Sequence, residues 1–146
     1  MIKTDAAYNV ALQQLQHDRE AIEGREQKLR KQGRSAEEVA RAMAPQYTLF
    51  EQLKDEVDWY TQARRGDVQV ATTFNSVGRL LIGLRIAAGI TQRELAEALG
   101  VDESQVSRDE RNEYHGITVN RVDQIIDKLR GKIEIKVEPA RELVVA

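Results

Sequence analysis

The stretch Thr91-Gln92-Arg93-Glu94-Leu95-Ala96-Glu97-Ala98-Leu99-Gly100-Val101-Asp102-Glu103-Ser104-Gln105-Val106-Ser107-Arg108 leaves this chain little choice of local structure. Thr91 is a good helix N-cap, and Glu94 three residues later completes a capping box. Leu95, Ala96 and Leu99 follow at helical spacing, and Gly100 stands where a helix ends in a left-handed residue. Asp102 is placed to cap a second helix, in which Val106 alone makes a strongly apolar inner face. The outer face carries Glu103, Ser104, Ser107, Arg108 and Arg111. A helix that hides one valine and displays that many hydrogen-bonding groups suits reading a surface better than filling a core.

The segment from Gly78 to about Leu129 resembles the Cro/repressor-like (Xre-type) helix-turn-helix family. The resemblance rests on Leu84-Arg85, Gly89-Ile90-Thr91-Gln92, Glu94-Leu95-Ala96, Leu99-Gly100-Val101, Val106-Ser107-Arg108 and Glu110-Arg111, which stand in that family's order. It covers about a third of the chain. It implies a DNA-binding unit whose second motif helix enters the major groove. Glu103, Ser104, Gln105, Ser107 and Arg108 are then the base-reading candidates. Arg108 has the bidentate fork that suits guanine, and Glu103 either accepts from cytosine or only stabilises the helix N-terminus. Thr91, Gln92, Arg93, Arg111, Tyr114 and His115 are the phosphate candidates, with Arg121 a weaker one. The family pattern also implies a structural ion pair between Arg85 and Glu110. Asp109 departs from the pattern, which places an apolar or aromatic residue there. An acid at that point repels phosphate, or pairs with Arg108 or Arg111 and orients it.

Around the motif the expected fold is mainly α. Residues 1–66 read as a charged helical hairpin and 67–75 as a linker. Residues 76–131 read as a four-to-five-helix DNA-binding domain, and 132–146 as a C-terminal strand and tail. In the hairpin Tyr8, Leu15, Ile22 and Leu29 recur every seven residues, thickened by Leu12. Ser35 and Glu38 form another capping box, followed by Val39, Ala42 and Met43. Pro45 kinks that helix or starts a third, and Phe50, Leu53, Val57 and Tyr60 make a second stripe. The hairpin reads equally as an appendage packed on itself or as an element that pairs with another chain, and Trp59 as an interface anchor or core filler. Asn75 or Ser76 is placed to cap the first helix of the DNA-binding unit, with Val77, Leu80, Leu81 and Leu84 inside. Thr118 caps the last helix, with Val119, Val122, Ile125, Ile126 and Leu129 on its apolar face.

Lys132-Ile133-Glu134-Ile135-Lys136-Val137-Glu138 alternates charged and apolar residues, the period-two signature of a half-buried strand. A lone strand needs a partner. The candidates are its own copy in a twofold dimer, through Ile133, Ile135 and Val137, or a hairpin with Leu143 to Val145. The order of helix-turn-helix, last helix and trailing strand looks like antitoxin-type members of the family, which resemblance implies pair through that strand.

Charge bears on the same question. The chain carries a net charge of −2, and between Ser76 and Gly131 eight Lys/Arg face nine Asp/Glu. DNA affinity rests largely on basic contacts to phosphate, so a neutral domain binds weakly as a monomer. Dimerisation doubles the footprint. With no Cys there is neither a disulfide nor a Cys-ligated metal, and His17 and His115 are too far apart in sequence to suggest a metal pair. No Gly-rich phosphate loop or catalytic constellation stands out, so neither an enzyme nor a cofactor is expected. No apolar run approaches the roughly 18 residues of a membrane span, and the first residues do not open a signal peptide, which points to a cytoplasmic protein. The leading expectation is a dimeric, sequence-specific repressor on double-stranded DNA. The alternatives are an antitoxin that holds a toxin protein through the N-terminal helices, and a protein-interaction module with a degenerate helix-turn-helix.

Overall fold

The computed structural model describes residues 1–67, 71 and 73–138. Among the described residues six α-helices follow one another: α1 (Asp5–Lys31), α2 (Ala36–Arg64), α3 (Val77–Ala87), α4 (Gln92–Leu99), α5 (Glu103–Arg111) and α6 (Val119–Lys128). A 3-10 turn, Phe74–Ser76, leads into α3.

α1 and α2 form the expected hairpin. Thr4 caps α1 through the amide of Ala7, and Ser35 and Glu38 cap α2 reciprocally. Between them Gly33 takes the left-handed φ of +79° that closes the first helix. Pro45 neither breaks α2 nor starts a new helix. Its fixed φ is helical, although it removes one amide bond and its ring crowds the carbonyl four residues back. Burial of Val39 and Met43 before it and of Val57 and Tyr60 after it holds the helix together. Leu12, expected in the stripe of α1, is 41% exposed, and Ala11 is the residue buried instead.

The hairpin has two unlike ends. Near the turn, Ile22, Val39 and Met43 make a small core of their own, with Leu29 and Phe50 against it. At the open end, Ile2, Ala11, Val57, Tyr60 and Ala63 join one continuous core with Leu81, Ile82, Ile86, Leu95, Val106 and Ile125. α3 explains that continuity. Its sequence Val-Gly-Arg-Leu-Leu-Ile-Gly-Leu-Arg-Ile-Ala is apolar nearly all round, so it is buried on more than one side, packing on α2 and on α6. Trp59 is half-buried against this core, and the Arg79 guanidinium of α3 lies over its ring, 5.8 Å from the centroid.

Local start signals met three further outcomes. Ser76 makes no side-chain cap on α3; its hydroxyl bonds back to the Thr73 carbonyl within the 3-10 turn. Asp102 occupies the N-cap position of α5 without accepting a cap bond. Val119, expected on the inner face of α6, is 69% exposed, while Ile125 and Leu129 are buried.

The expected C-terminal dimerisation strand is absent. Residues 131–138 form no strand, and no strand occurs among the described residues. Period-two alternation specifies two faces of an extended segment, but a strand also needs a second edge to bond to, and none of the described residues supplies one. Ile133, Ile135 and Val137 accordingly stand 47%, 61% and 82% exposed. Leu143 to Val145, the other expected strand, lies outside the described residues.

Candidate nucleic-acid interface

α4 and α5 pack together through a turn centred on Gly100, whose φ of +69° places it in the left-handed region. Thr91 and Glu94 cap α4 in both directions, Glu94 Nα donating to the Thr91 hydroxyl at 3.1 Å and Thr91 Nα to the Glu94 carboxylate at 2.7 Å. The Thr91 amide first, and then the Thr91 hydroxyl that also donates to this carboxylate, hold the Glu94 carboxyl below the usual carboxylate range.

The two faces of α5 differ completely. On the inner face Val106 is 1% exposed and Glu110 is wholly buried. A buried carboxylate needs a partner and full hydrogen bonding, and Arg85 of α3 supplies both. Arg85 Nε donates to Glu110 Oε1 and its Nη2 to Oε2 at 2.8 Å, the bidentate geometry natural to a guanidinium. Its Nη1 donates to the Ile90 carbonyl at 2.8 Å and its Nη2 also to the Lys3 carbonyl at 2.9 Å. Gln92 Nε2 adds a bond to Glu110 Oε2 at 2.6 Å. One buried pair thus ties α3, the turn before α4, the first residue of α4, α5 and the N-terminal arm into a single unit.

On the outer face Glu103, Ser104 and Arg108 are exposed, and Gln105 and Ser107 are half-buried. Arg108 Nη2 donates to Gln105 Oε1 at 3.1 Å, and Gln105 Nε2 donates to Asp109 Oδ1 at 2.8 Å. The base-reading candidates therefore share one helix face, clear of the core. The phosphate candidates do not behave alike. Thr91 is occupied in its cap, and Gln92 turns its amide nitrogen inward to Glu110. Arg93 is exposed and lies 3.1 Å from Glu97. Arg111 and His115 are exposed, and Arg121, half-buried, donates to Gln124 at 3.2 Å. Tyr114 does not fit the role expected of it. It is 6% exposed, belongs to the main core, and burial pushes its hydroxyl well above the usual tyrosine range.

Tyr114 is buried because the loop after α5 folds back under α3. Glu113 and Tyr114 both take left-handed backbone angles, φ +49° and +53°. The Glu113 carbonyl approaches so close that a Cβ on Gly78 would stand 1.8 Å from its oxygen. Only glycine fits at residue 78. Neither that contact nor the Lys3–Arg85 bond was visible in the sequence, because each joins residues far apart in the chain. The Lys3 bond also sets the N-terminal arm beside α4 and α5. A groove of about 490 Å³ runs between them, with Lys3 and Arg64 on one wall and Thr91, Gln92 and Glu103 on the other.

Residues 82–135 match a protein-family model described as Helix-turn-helix. This segment is a helix-turn-helix of the Cro/C1 type. Comparison with curated proteins and with solved structures gives no match. The helix-turn-helix match runs from α3 through α6 into the extended segment, so α4 and α5 are the motif pair and α5 is its second helix. It places the chain among DNA-binding regulators of transcription. Among the described residues no helix is long and apolar enough to cross a membrane.

Proposed function

We propose that the protein is a sequence-specific repressor that binds double-stranded DNA as a dimer, with α5 in the major groove. The observation that carries this reading is the division of α5 into a fully buried inner face and an exposed polar outer one. An α-helix fits the major groove, where each base pair presents its own pattern of donors and acceptors. Arg108 is the principal reader, with donors suited to guanine O6 and N7. Glu103, Ser104 and Ser107 read neighbouring bases, while Arg93, Arg111 and His115 hold the backbone. Dimerisation follows from charge. Eight basic against nine acidic residues between Ser76 and Gly131 give one copy a poor electrostatic hold on DNA, and a second copy doubles the contacts.

The test is unbiased selection of duplexes from a random pool by the full-length chain. The reading expects an enriched palindrome whose half-sites lie about one helical turn apart. A pool that stays random after repeated rounds contradicts it.

A second reading, an antitoxin that also holds a protein partner, is favoured by the far end of the hairpin. That end has its own small core, beside which Leu49 stands 66% exposed, and Val10, nearer the open end, is equally exposed. Co-expression with the product of an adjacent gene, followed by isolation of a stoichiometric complex that Val10→Asp or Leu49→Asp disrupts, distinguishes the two.

A further inference from the structure

The outer face of α5 holds a three-membered chain of side chains, Asp109 to Gln105 to Arg108, with bonds of 2.8 and 3.1 Å. The direction of that chain is forced. An ionised carboxylate only accepts hydrogen bonds and a guanidinium only donates them, whereas a glutamine amide does one at each end. With Asp109 one turn further on at i+4, the Gln105 NH2 must face the carboxylate. Its oxygen must then face Arg108. Were residue 109 apolar, the single bond from Arg108 would be all that favoured this amide orientation, and no acceptor would hold the Gln105 NH2 in place.

We propose that Asp109 is a specificity-determining positioning residue: through Gln105 it orients the Arg108 guanidinium for base reading. The proposal rests on the reading of α5 as the helix that enters the major groove. It assigns a use to a residue that otherwise places a negative charge on the DNA-facing side of a nearly neutral domain. Asp109 touches no base in this account. Arg108 uses one of its five N–H groups on Gln105 and keeps the rest for the base edge. Holding the fork before contact removes part of the ordering cost that a long, mobile side chain otherwise meets on binding.

The experiment compares the full-length wild type with Asp109→Ala, Asp109→Asn, Gln105→Ala and the Gln105→Ala/Asp109→Ala double variant. Each is titrated with the duplex recovered by random-pool selection and with single-base variants of it. The readout is the ratio of affinities, with unfolding midpoints measured alongside. Asp109→Ala is expected to lower the ratio at one base pair about three- to tenfold, the span of one hydrogen bond's net contribution. Asp109→Asn, which still presents an oxygen to the Gln105 NH2, is expected to keep the ratio near wild type. In the Gln105→Ala background, Asp109→Ala is expected to change the ratio no further. A purely electrostatic role predicts otherwise: Ala and Asn both strengthen binding to every duplex alike and leave the ratio unchanged. That result, or equal effects of Asp109→Ala with and without Gln105, overturns the proposal while leaving the DNA-binding reading in place. If the wild type selects no sequence at all, both fall together.

Discussion

The two faces of α5 each carry a polar network built on an arginine, and the networks behave oppositely. Inside, Arg85 and Glu110 are 3% and 0% exposed, and the guanidinium donates to a carboxylate and to two backbone carbonyls. Outside, Arg108 is exposed and, among the described residues, bonds to Gln105 alone. Among the described residues every buried polar side-chain atom of the inner network has a partner, so the network holds shape. The outer one keeps free donors, so it can recognise something. One helix therefore separates rigidity from reading by the burial of its two sides.

The strongest way to break that contrast is at Glu110. Glu110→Ala leaves the Arg85 charge buried without its partner and is expected to destabilise the fold by about 3–5 kcal/mol, measured by urea unfolding. It also frees the amide of Gln92. An unchanged unfolding midpoint would show that the inner network holds nothing. Gly78→Ala disturbs the loop that closes α5. With the new Cβ driven against the Glu113 carbonyl, the loop or α3 must move, at an expected cost of about 1–3 kcal/mol. Chemical-shift changes confined to α3 and residues 113–116 are the accompanying signature.

Tyr60→Phe probes the outermost link of the inner network. The Tyr60 hydroxyl donates to Asp5 at 3.0 Å, at the start of α1 next to the arm that meets Arg85. Its loss is expected to cost about 0.5–1.5 kcal/mol at neutral pH. Burial first, and then the bond to Asp5, pushes the Tyr60 hydroxyl up to about 12 from its ordinary 10. The folded protein thus holds this proton more tightly than the unfolded chain. The stability linked to it is complete below pH 10 and is lost as the pH rises towards 12. Stability-versus-pH curves should show a shallower alkaline decline for Tyr60→Phe, the remainder belonging to the raised hydroxyl of Tyr114. Identical slopes would remove Tyr60 from the account.

The parts of this arrangement that were legible in the sequence are those in which cause and effect lie within a turn or two. The capping boxes at Ser35/Glu38 and Thr91/Glu94, the glycine stop at Gly100, and the lone inner valine of α5 are of that kind. The Arg85–Glu110 pair came from the family resemblance, since nothing local to either residue names the other. The contacts that depend on tertiary approach gave no local signal: Lys3 on Arg85, Glu113 against Gly78, Asp5 with Tyr60. The same limit explains the missing strand. Alternation from Ile133 to Val137 is a local property, whereas a strand is a relation between two segments. Tyr114 failed as a phosphate candidate for a related reason, because a left-handed loop turned the ring into the core. Asp109, conspicuous as a departure from the family pattern, pointed to Arg108 or Arg111 directly, and the structure routes it through Gln105 instead.

Everything proposed for the outer face of α5 turns on Arg108 reading a base. The most direct measurement is the affinity of full-length wild type and Arg108→Ala for the selected duplex and its single-base variants, at fixed salt. The account predicts that Arg108→Ala keeps the wild-type unfolding midpoint, loses about 1–3 kcal/mol of discrimination at one guanine, and retains the weaker, salt-dependent binding to unrelated DNA. Equal discrimination by the two proteins at every position would contradict it.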